Sequence, residues 1–318
     1  MKKYSREKLL NASDSTRSSI AIILLILTTI LWGSTFIITK TIIQEVPIFL
    51  YLGLRFLIAL IGFAPFFPRL KDINKRIIVF GIVVGLLYFF GMVFQTYGLQ
   101  TTSAGKAGFI TGLNAVIVPV LAWIFFKKPI NKRIWIAVPL SVLGLALLMF
   151  ESVSGVIIGD FLVLICAFFF ALFIIFNDKY VRLVDVYLYT IIQLIVITLF
   201  CFLFSLLINE YKSYDLMSAK LDFWLIMLYM GFVVSTLTFF FQNWSQKYQD
   251  PSKTAIIFTL EPVFAVLFAS FLIGREVLSL QSWIGCGLIF FAILITVLKS
   301  GEKTIFSDEN KLHYQMTQ

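Results

Sequence analysis

Short polar breaks divide the chain into long apolar runs. Ten runs of about 20 residues alternate with short segments that carry charge, proline or glycine. A bilayer core needs about 20 apolar residues per helix, and backbone groups in lipid must pair within their own segment, so each run predicts a spanning helix. The predicted spans are 20–42, 47–67, 77–97, 106–126, 132–150, 158–177, 186–208, 222–243, 253–273 and 279–298.

The composition agrees with this pattern. Of the 318 residues, 60% are hydrophobic and 14% are charged, whereas a soluble domain carries about 25% charged residues. The sequence therefore predicts a polytopic membrane protein. Three scattered cysteines in apolar runs and one histidine without a partner motif predict no disulfide framework, no metal site and no cofactor.

Lysines and arginines orient the predicted spans. With the N-terminus inside, 20 of the 26 basic residues fall in cytoplasmic segments, five in outer loops, and Arg55 within a span. This bias follows the positive-inside rule. It predicts a multi-pass protein of the cell membrane with two cytoplasmic tails, 1–19 and 299–318. The net charge of +9 then reflects orientation, and no nucleic-acid partner is predicted.

The two halves of the chain, 20–150 and 158–298, resemble each other weakly. An offset of 147 aligns the third and fourth spans with the eighth and ninth, and an offset of 138 aligns the second with the seventh. The matched pairs include Gln95 with Gln242, Lys106 with Lys253, Tyr51 with Tyr189, and Arg55 with Gln193. Each half holds five predicted helices, and an odd number inverts the second half. Inverted repeats are typical of secondary transporters.

Two charged residues lie within predicted spans. A charge near the bilayer centre costs about 2.5–3.5 kcal/mol, so Arg55 and Glu261 should face the bundle interior or water. Glu261 is a candidate for proton coupling or for contact with a substrate amine, and Arg55 for contact with an anionic group. The alternatives are structural: Glu261 pairs with another group across helices, for which Arg55 is one candidate, and Arg55 joins helices or extends toward the membrane surface. Pro119 and Pro262 predict helix kinks.

Helical spacing selects further cavity candidates. With Glu261 they are Trp32, Thr35, Tyr88, Gln95, Asn114 and Gln242. Aromatic walls with a few amide groups suit an amphipathic metabolite such as an amino acid. Gly108-x-x-x-Gly112 is a weak homodimerisation signal, and helix packing within the chain is the favoured alternative.

Five stretches carry the pattern of one known family. They are LWGSTFIITK (31–40), LGLRFLIA (52–59), TTSAGKAGFITGLNAVIVPVLAWIFFKKP (101–129), GDFLVLICAFFFALFIIFNDKY (159–180) and DPSKTAIIFTLEPVFAVLFASFLIGREVLSLQSWIG (250–285). Together they resemble the EamA-type family of the drug/metabolite transporter superfamily. The resemblance implies ten helices in two inverted halves, a central cavity and movement of small metabolites, often outward. Asn114 departs from it, since an aromatic residue is common there.

These features predict an all-α secondary transporter that exports small metabolites such as amino acids by alternating access. The chain has no phosphate-binding loop of the G-x-x-x-x-G-K-[ST] form, so no ATPase is predicted. An integral membrane enzyme acting on lipid is an alternative, but the short loops carry no cluster of carboxylates, histidines or cysteines. A non-transporting scaffold is a second alternative, although it would be expected to carry a larger soluble region.

Overall fold

The computed structural model describes residues 2–127, 130–149, 157–273 and 279–297, and these residues form helices and connecting turns without any strand. The α-helices are α1 (Lys2–Gly33), α2 (Thr35–Ile42), α3 (Ile48–Gly62), α4 (Lys75–Thr101), α5 (Ala104–Gly112), α6 (Asn114–Phe126), α7 (Lys132–Met149), α8 (Ile158–Val181), α9 (Val186–Leu207), α10 (Leu221–Leu228), α11 (Leu237–Gln246), α12 (Pro251–Phe258), α13 (Leu260–Ile273) and α14 (Leu280–Val297). A π-helix, Tyr229–Thr236, joins α10 to α11.

The protein is an all-α polytopic membrane protein, as the sequence predicts. Within the described residues, seven helical stretches are long and apolar enough to cross a bilayer, and a bent pair of helices would make eight. Leu280–Thr296 is a shorter apolar helix. The count of ten spans therefore stays a prediction.

Two predicted boundaries differ from the structure. The second predicted span, 47–67, ends early: α3 stops at Gly62, and a 3₁₀ helix over Ala64–Asp72 turns away by 75°. Pro65 and Pro68 explain the turn, because neither has a backbone N–H with which to continue α3. The predicted polar tail 1–19 is also helical from Lys2 onward, in keeping with the good helix formers it contains, lysine, arginine, glutamate and leucine.

Carboxylates cap several helix N-termini and so fix where these helices begin. Asp250 accepts a hydrogen bond from the Ser252 N–H at 2.8 Å, with Pro251 as the first residue of α12. Glu210, in the connection after α9, reaches across to α3 and accepts from the Leu50 N–H at 2.8 Å. Such contacts satisfy the free N–H groups of a helix start and favour its positive dipole end.

Helix packing repeats between the two halves in a matched order. α4 packs along α8, and α11 packs along α1; α5 and α6 pack on α8, while α12 and α13 pack on α1. α3 packs with α9, and α7 with α14. When each helix is replaced by the one in the same place in the other half, for example α4 by α11 and α8 by α1, each of these contacts becomes another contact of the same set.

The Gly108-x-x-x-Gly112 stretch takes part in packing within the chain. A Cβ at Gly108 would lie 3.2 Å from the Cβ of Pro262 on α13, and one at Gly112 would lie 3.0 Å from the side chain of Leu145 on α7. Small residues allow helices in membranes to approach closely. These two glycines therefore bring α5 against α13 and α7.

Candidate functional site

A polar cavity lies where the two halves meet. The space between its lining atoms, including the part that is open to solvent, is about 480 Å³. Helices α1 to α6 of the first half and α8, α11, α12 and α13 of the second half contribute to its wall. The lining residues are Trp32, Thr35, Arg55, Tyr88, Met92, Gln95, Thr111, Asn114, Phe170, Phe173, Ile174, Gln242, Phe258 and Glu261.

All seven cavity candidates from the sequence line this cavity, and so does Arg55. Helical spacing grouped them because residues seven apart, such as Tyr88 and Gln95, share one face of a helix. The sequence did not identify Phe170, Phe173 or Phe258. They lie in almost uniformly apolar stretches, in which spacing cannot distinguish the cavity face from a packing face.

Arg55 is fixed by a hydrogen bond to Ser235 and also lines the cavity. It is 3% exposed, and its Nε donates a hydrogen bond to Ser235 Oγ at 2.8 Å. Within the described residues, its two terminal nitrogens make no hydrogen bond. A Cβ at Gly231 would lie 2.9 Å from the Arg55 carbonyl oxygen, so only glycine lets the π-helix approach α3 this closely. π-helical segments are frequent at functional sites.

Glu261 faces the cavity one residue after the start of α13. Its carboxylate forms no hydrogen bond or ion pair with any residue that the structure describes, and no Arg55 nitrogen lies within 4.0 Å of it. The structural alternative of a direct ion pair between Arg55 and Glu261 is therefore not seen here. The cavity thus holds a guanidinium and a carboxyl group that do not touch.

The two prolines lie differently with respect to helix breaks. The break between α12 and α13 is at Thr259, within one turn before Pro262, where the missing N–H of a proline frees a carbonyl. Pro119 instead lies inside α6, well past the break at Leu113. The break at Thr259 positions Glu261 in the first turn of a helix that lines the cavity.

Amide groups of the cavity are only partly satisfied. Gln95 Nε2 donates to Thr111 Oγ1 at 3.3 Å. Asn114 Oδ1 and Gln242 Nε2 are buried and have no protein partner among the described residues. Leaving a buried donor or acceptor unpaired costs about 1–3 kcal/mol. Among the amide groups of the cavity wall, one acceptor and one donor therefore lack a partner in the described structure.

Aromatic rings narrow the cavity. Trp32 packs on Phe258 with ring centroids 4.9 Å apart, and Tyr88 packs on Phe170 and Phe173 at 5.4 and 5.0 Å. The centre of a water molecule has about 30 Å³ in which to move, which is room for about two or three waters. A larger ligand requires these rings to move apart.

A buried ionic cluster lies near one end of α8. Lys106 forms an ion pair with Asp160, which also accepts a hydrogen bond from Thr102 Oγ1 at 2.9 Å. Lys40 Nζ donates to the Thr102 carbonyl oxygen at 2.6 Å. The ionic cluster joins α2, α4, α5 and α8 and lies at helix ends that the charge bias predicts to be extracellular.

An amide cluster lies near the other end of α8. Its members are fully buried and neutral, and they are Asn177, Tyr189, Thr190, Gln193, Asn243 and Gln246. Asn177 Oδ1 accepts from Tyr189 OH at 2.9 Å and from Gln193 Nε2 at 3.1 Å, and Asn177 Nδ2 donates to Asn243 Oδ1 at 2.9 Å. The amide cluster ties α8, α9 and α11 together at the end predicted to be cytoplasmic.

Basic residues flank this end of α8. Arg182 forms an ion pair with Asp178 at 2.7 Å and donates to the carbonyl oxygen of Gln249 at 2.8 Å. Burial lowers the pKa of the nearby Lys247 amine; the Asp185 carboxylate opposes this shift and Arg182 adds to it. These contacts fasten the end of α8 to the connection that precedes α12.

Helix α8 connects all three polar regions. Asp160 and Asn177 lie 17 residues apart on it, a distance of about 25 Å along a helix. Phe170, Phe173 and Ile174, which line the cavity, lie between them. The cavity is therefore bounded along α8 by the ionic cluster at one end and the amide cluster at the other.

Comparisons with known proteins give a consistent result. The EamA-like transporter family matches the chain twice, over residues 19–150 and 157–298. An uncharacterized transporter of Archaeoglobus fulgidus is 32% identical over 86% of this chain and 85% of its own length. A probable amino-acid metabolite efflux pump of Salmonella typhimurium is 24% identical over 81% and 88%. A solved crystal structure shares the fold, with a TM-score of 0.71 at 18% identity, over 89% of this chain and 98% of its own.

Proposed function

Since the chain belongs to the EamA-like transporter family, and is thus a membrane transporter and not an enzyme, we propose that it is a secondary transporter that exports small metabolites such as amino acids by alternating access. The observation that carries the proposal is the central cavity, whose wall combines two opposite charges, unpaired amide atoms and aromatic rings from both halves. Such a wall suits a small amphipathic molecule.

Alternating access is supported by the ionic cluster, which joins α2, α4 and α5 of the first half to α8 of the second half at one end of the cavity. Opening at that end requires these contacts between the halves to separate, whereas the amide cluster lies within the second half and would move with it as a unit. In transporters built from inverted repeats, one repeat rocks against the other around a fixed site. The matched packing of the two halves supports two five-helix repeats. The excess of lysine and arginine in one set of connections supports their inverted arrangement with both termini cytoplasmic.

Export of amino acids is the finer part of the proposal. The Salmonella typhimurium relative is named as a probable amino-acid metabolite efflux pump. Amino acids carry the charged groups that Arg55 and Glu261 complement, and many carry an apolar side chain for the aromatic wall.

Reconstitution tests the transport reaction. The full chain is inserted into liposomes that are loaded with a panel of labelled metabolites, including the standard amino acids, and release is followed with and without a pH gradient. We expect release of at least one panel compound to exceed that from protein-free liposomes. Equal rates for the whole panel in both conditions would reject the proposed function.

The predicted orientation has a separate test. Reporter tags at the two ends of the chain should be found on the same, cytoplasmic side of the membrane, because ten spans are an even number. Tags on opposite sides would contradict the inverted arrangement, and the proposed route for the cargo would have to be redrawn.

A further inference from the structure

A guanidinium and a carboxyl group share the cavity without contact. Arg55 and Glu261 both line it and are 3% and 8% exposed, yet they lie farther apart than an ion pair allows. Within the described residues, the two terminal nitrogens of Arg55 and both carboxyl oxygens of Glu261 form no hydrogen bond. A buried charge without a partner is unfavourable, so a ligand that supplies both missing partners would bind with the greatest gain.

We propose that the cavity binds an α-amino acid as a zwitterion, with the ligand carboxylate on the guanidinium of Arg55 and the ligand ammonium on the carboxylate of Glu261. This inference deepens the proposed function and rests on it in taking the cavity as the cargo site. A guanidinium accepts a carboxylate through two parallel hydrogen bonds. An ammonium group donates to carboxylate and amide oxygens, and Asn114 Oδ1 is an additional free acceptor.

The wall predicts the kind of side chain on the ligand. Away from Arg55 and Glu261, the apolar groups Met92, Phe170, Phe173, Ile174 and Phe258 share the wall with amides and hydroxyls. The aromatic and aliphatic groups offer a packing surface for an apolar side chain, and no third charged residue stands among the described lining residues to pair with a charged one. The preferred ligand is thus a zwitterion whose side chain is uncharged and largely apolar.

Ser235 is the positioning residue for Arg55. Its Oγ accepts from Arg55 Nε at 2.8 Å and itself donates to the Met230 carbonyl oxygen at 2.8 Å, inside the π-helix. Occupying Nε in this way directs the remaining nitrogens toward the cavity. Ser235→Ala should therefore weaken recognition of the ligand carboxylate more than recognition of the ammonium.

The test measures binding, so that it does not depend on transport. The full chain, purified in detergent, is titrated with the 20 standard amino acids while its thermal midpoint is followed, since a ligand of the folded state raises that midpoint. L-Leucine is then compared with L-leucinamide, which lacks the carboxylate, and with 4-methylpentanoate, which lacks the ammonium. We expect amino acids with apolar side chains to bind, and each analogue to bind about tenfold or more weakly than leucine.

Variants assign each charge. Arg55→Gln should remove the preference for leucine over leucinamide, and Glu261→Gln should remove the preference for leucine over 4-methylpentanoate. Ser235→Ala should reduce the first preference and spare the second. The matched controls are Arg69→Gln, at an exposed arginine near Asp185, and Glu210→Gln, at the buried carboxylate that caps α3; both should retain both preferences.

The results distinguish this inference from its alternatives. If no amino acid raises the midpoint, or if leucinamide and 4-methylpentanoate bind as well as leucine, the zwitterion site is rejected, whatever the liposomes transport. If Glu261→Gln leaves all binding at constant pH unchanged, Glu261 does not receive the ammonium. Selective binding without any transport would uphold the site and reject the proposed function instead.

Discussion

Arg55 and Gln193 occupy matched positions of the two halves and do opposite things. Arg55 makes one hydrogen bond, to Ser235, and lines the cavity. Gln193 is fully buried, donates to Asn177 Oδ1 at 3.1 Å and accepts from Asn243 Nδ2 at 2.8 Å. The terminal nitrogens of Arg55 form no hydrogen bond within the described residues, whereas the amide nitrogen and the amide oxygen of Gln193 both form one. At this level the first half thus places a side chain in the cavity wall, and the second half uses its side chain to join helices.

One helical turn before these positions, both halves contain a hydrogen bond from a matched tyrosine. Tyr51 OH lies 3.0 Å from Thr39 Oγ1, and Tyr189 OH donates to Asn177 Oδ1 at 2.9 Å. Both pairs are 12 residues apart in sequence, and an offset of 138 superposes them. The halves therefore keep the same tyrosine hydrogen bond and diverge one turn further along the helix.

Gln193→Arg should have the largest effect. It gives the second half the residue of the first, but in a fully buried site whose described neighbours are neutral amides. An arginine within a membrane costs about 2.5–3.5 kcal/mol without a carboxylate partner. We expect little folded protein, measured as the monodisperse fraction in detergent. Normal yield and wild-type thermal stability would contradict the assigned role of Gln193.

Asn177→Ala should come next. It removes hydrogen bonds to Tyr189, Gln193, Asn243 and Gln246. At about 0.6 kcal/mol for each bond in a membrane protein, the loss is about 2 kcal/mol, and the stranded amides add to it. Equilibrium unfolding in mixed micelles measures the change. Thr39→Ala, at the matched position, is the control and should cost about 1 kcal/mol or less.

Arg55→Gln should change the free energy of unfolding by about 1 kcal/mol or less. The variant loses one hydrogen bond, which is unfavourable. It also no longer buries a charge without an ion-pair partner, which is favourable, so the two effects offset each other. The same unfolding experiment serves for this comparison. A loss as large as that of Asn177→Ala would mean that Arg55 holds the helices together, as the structural alternative requires.

Tyr51→Phe and Tyr189→Phe should have the smallest effects, and equal ones. Each change deletes one hydroxyl and one interhelical hydrogen bond, worth about 0.6 kcal/mol in a membrane protein. Unfolding of the two variants in parallel compares the halves at their shared position. If the free energies of unfolding of the two variants differed by more than about 1 kcal/mol, the two tyrosine hydrogen bonds would stabilise the protein unequally despite their similar geometry.

Much of the site could be predicted because membrane burial makes polar residues conspicuous. Glu261, Arg55, Asn114 and Gln242 stand out in apolar runs, and a polar group in lipid must turn toward the bundle interior. The same reasoning could not identify the amide cluster as a unit. Asn177 and Asn243 are 66 residues apart, and nothing in either helix indicates that they meet.

By itself, the sequence determined that this protein is a membrane-embedded helical transporter with polar residues in its interior, because apolar run length, charge bias and family pattern are properties of the linear chain. It could not decide whether Arg55 and Glu261 pair with each other. That depends on how far α3 stands from α13 and how each helix is rotated, which the π-helix, the break at Thr259 and the glycine contacts set together. Only tertiary packing leaves the two charges apart in one cavity.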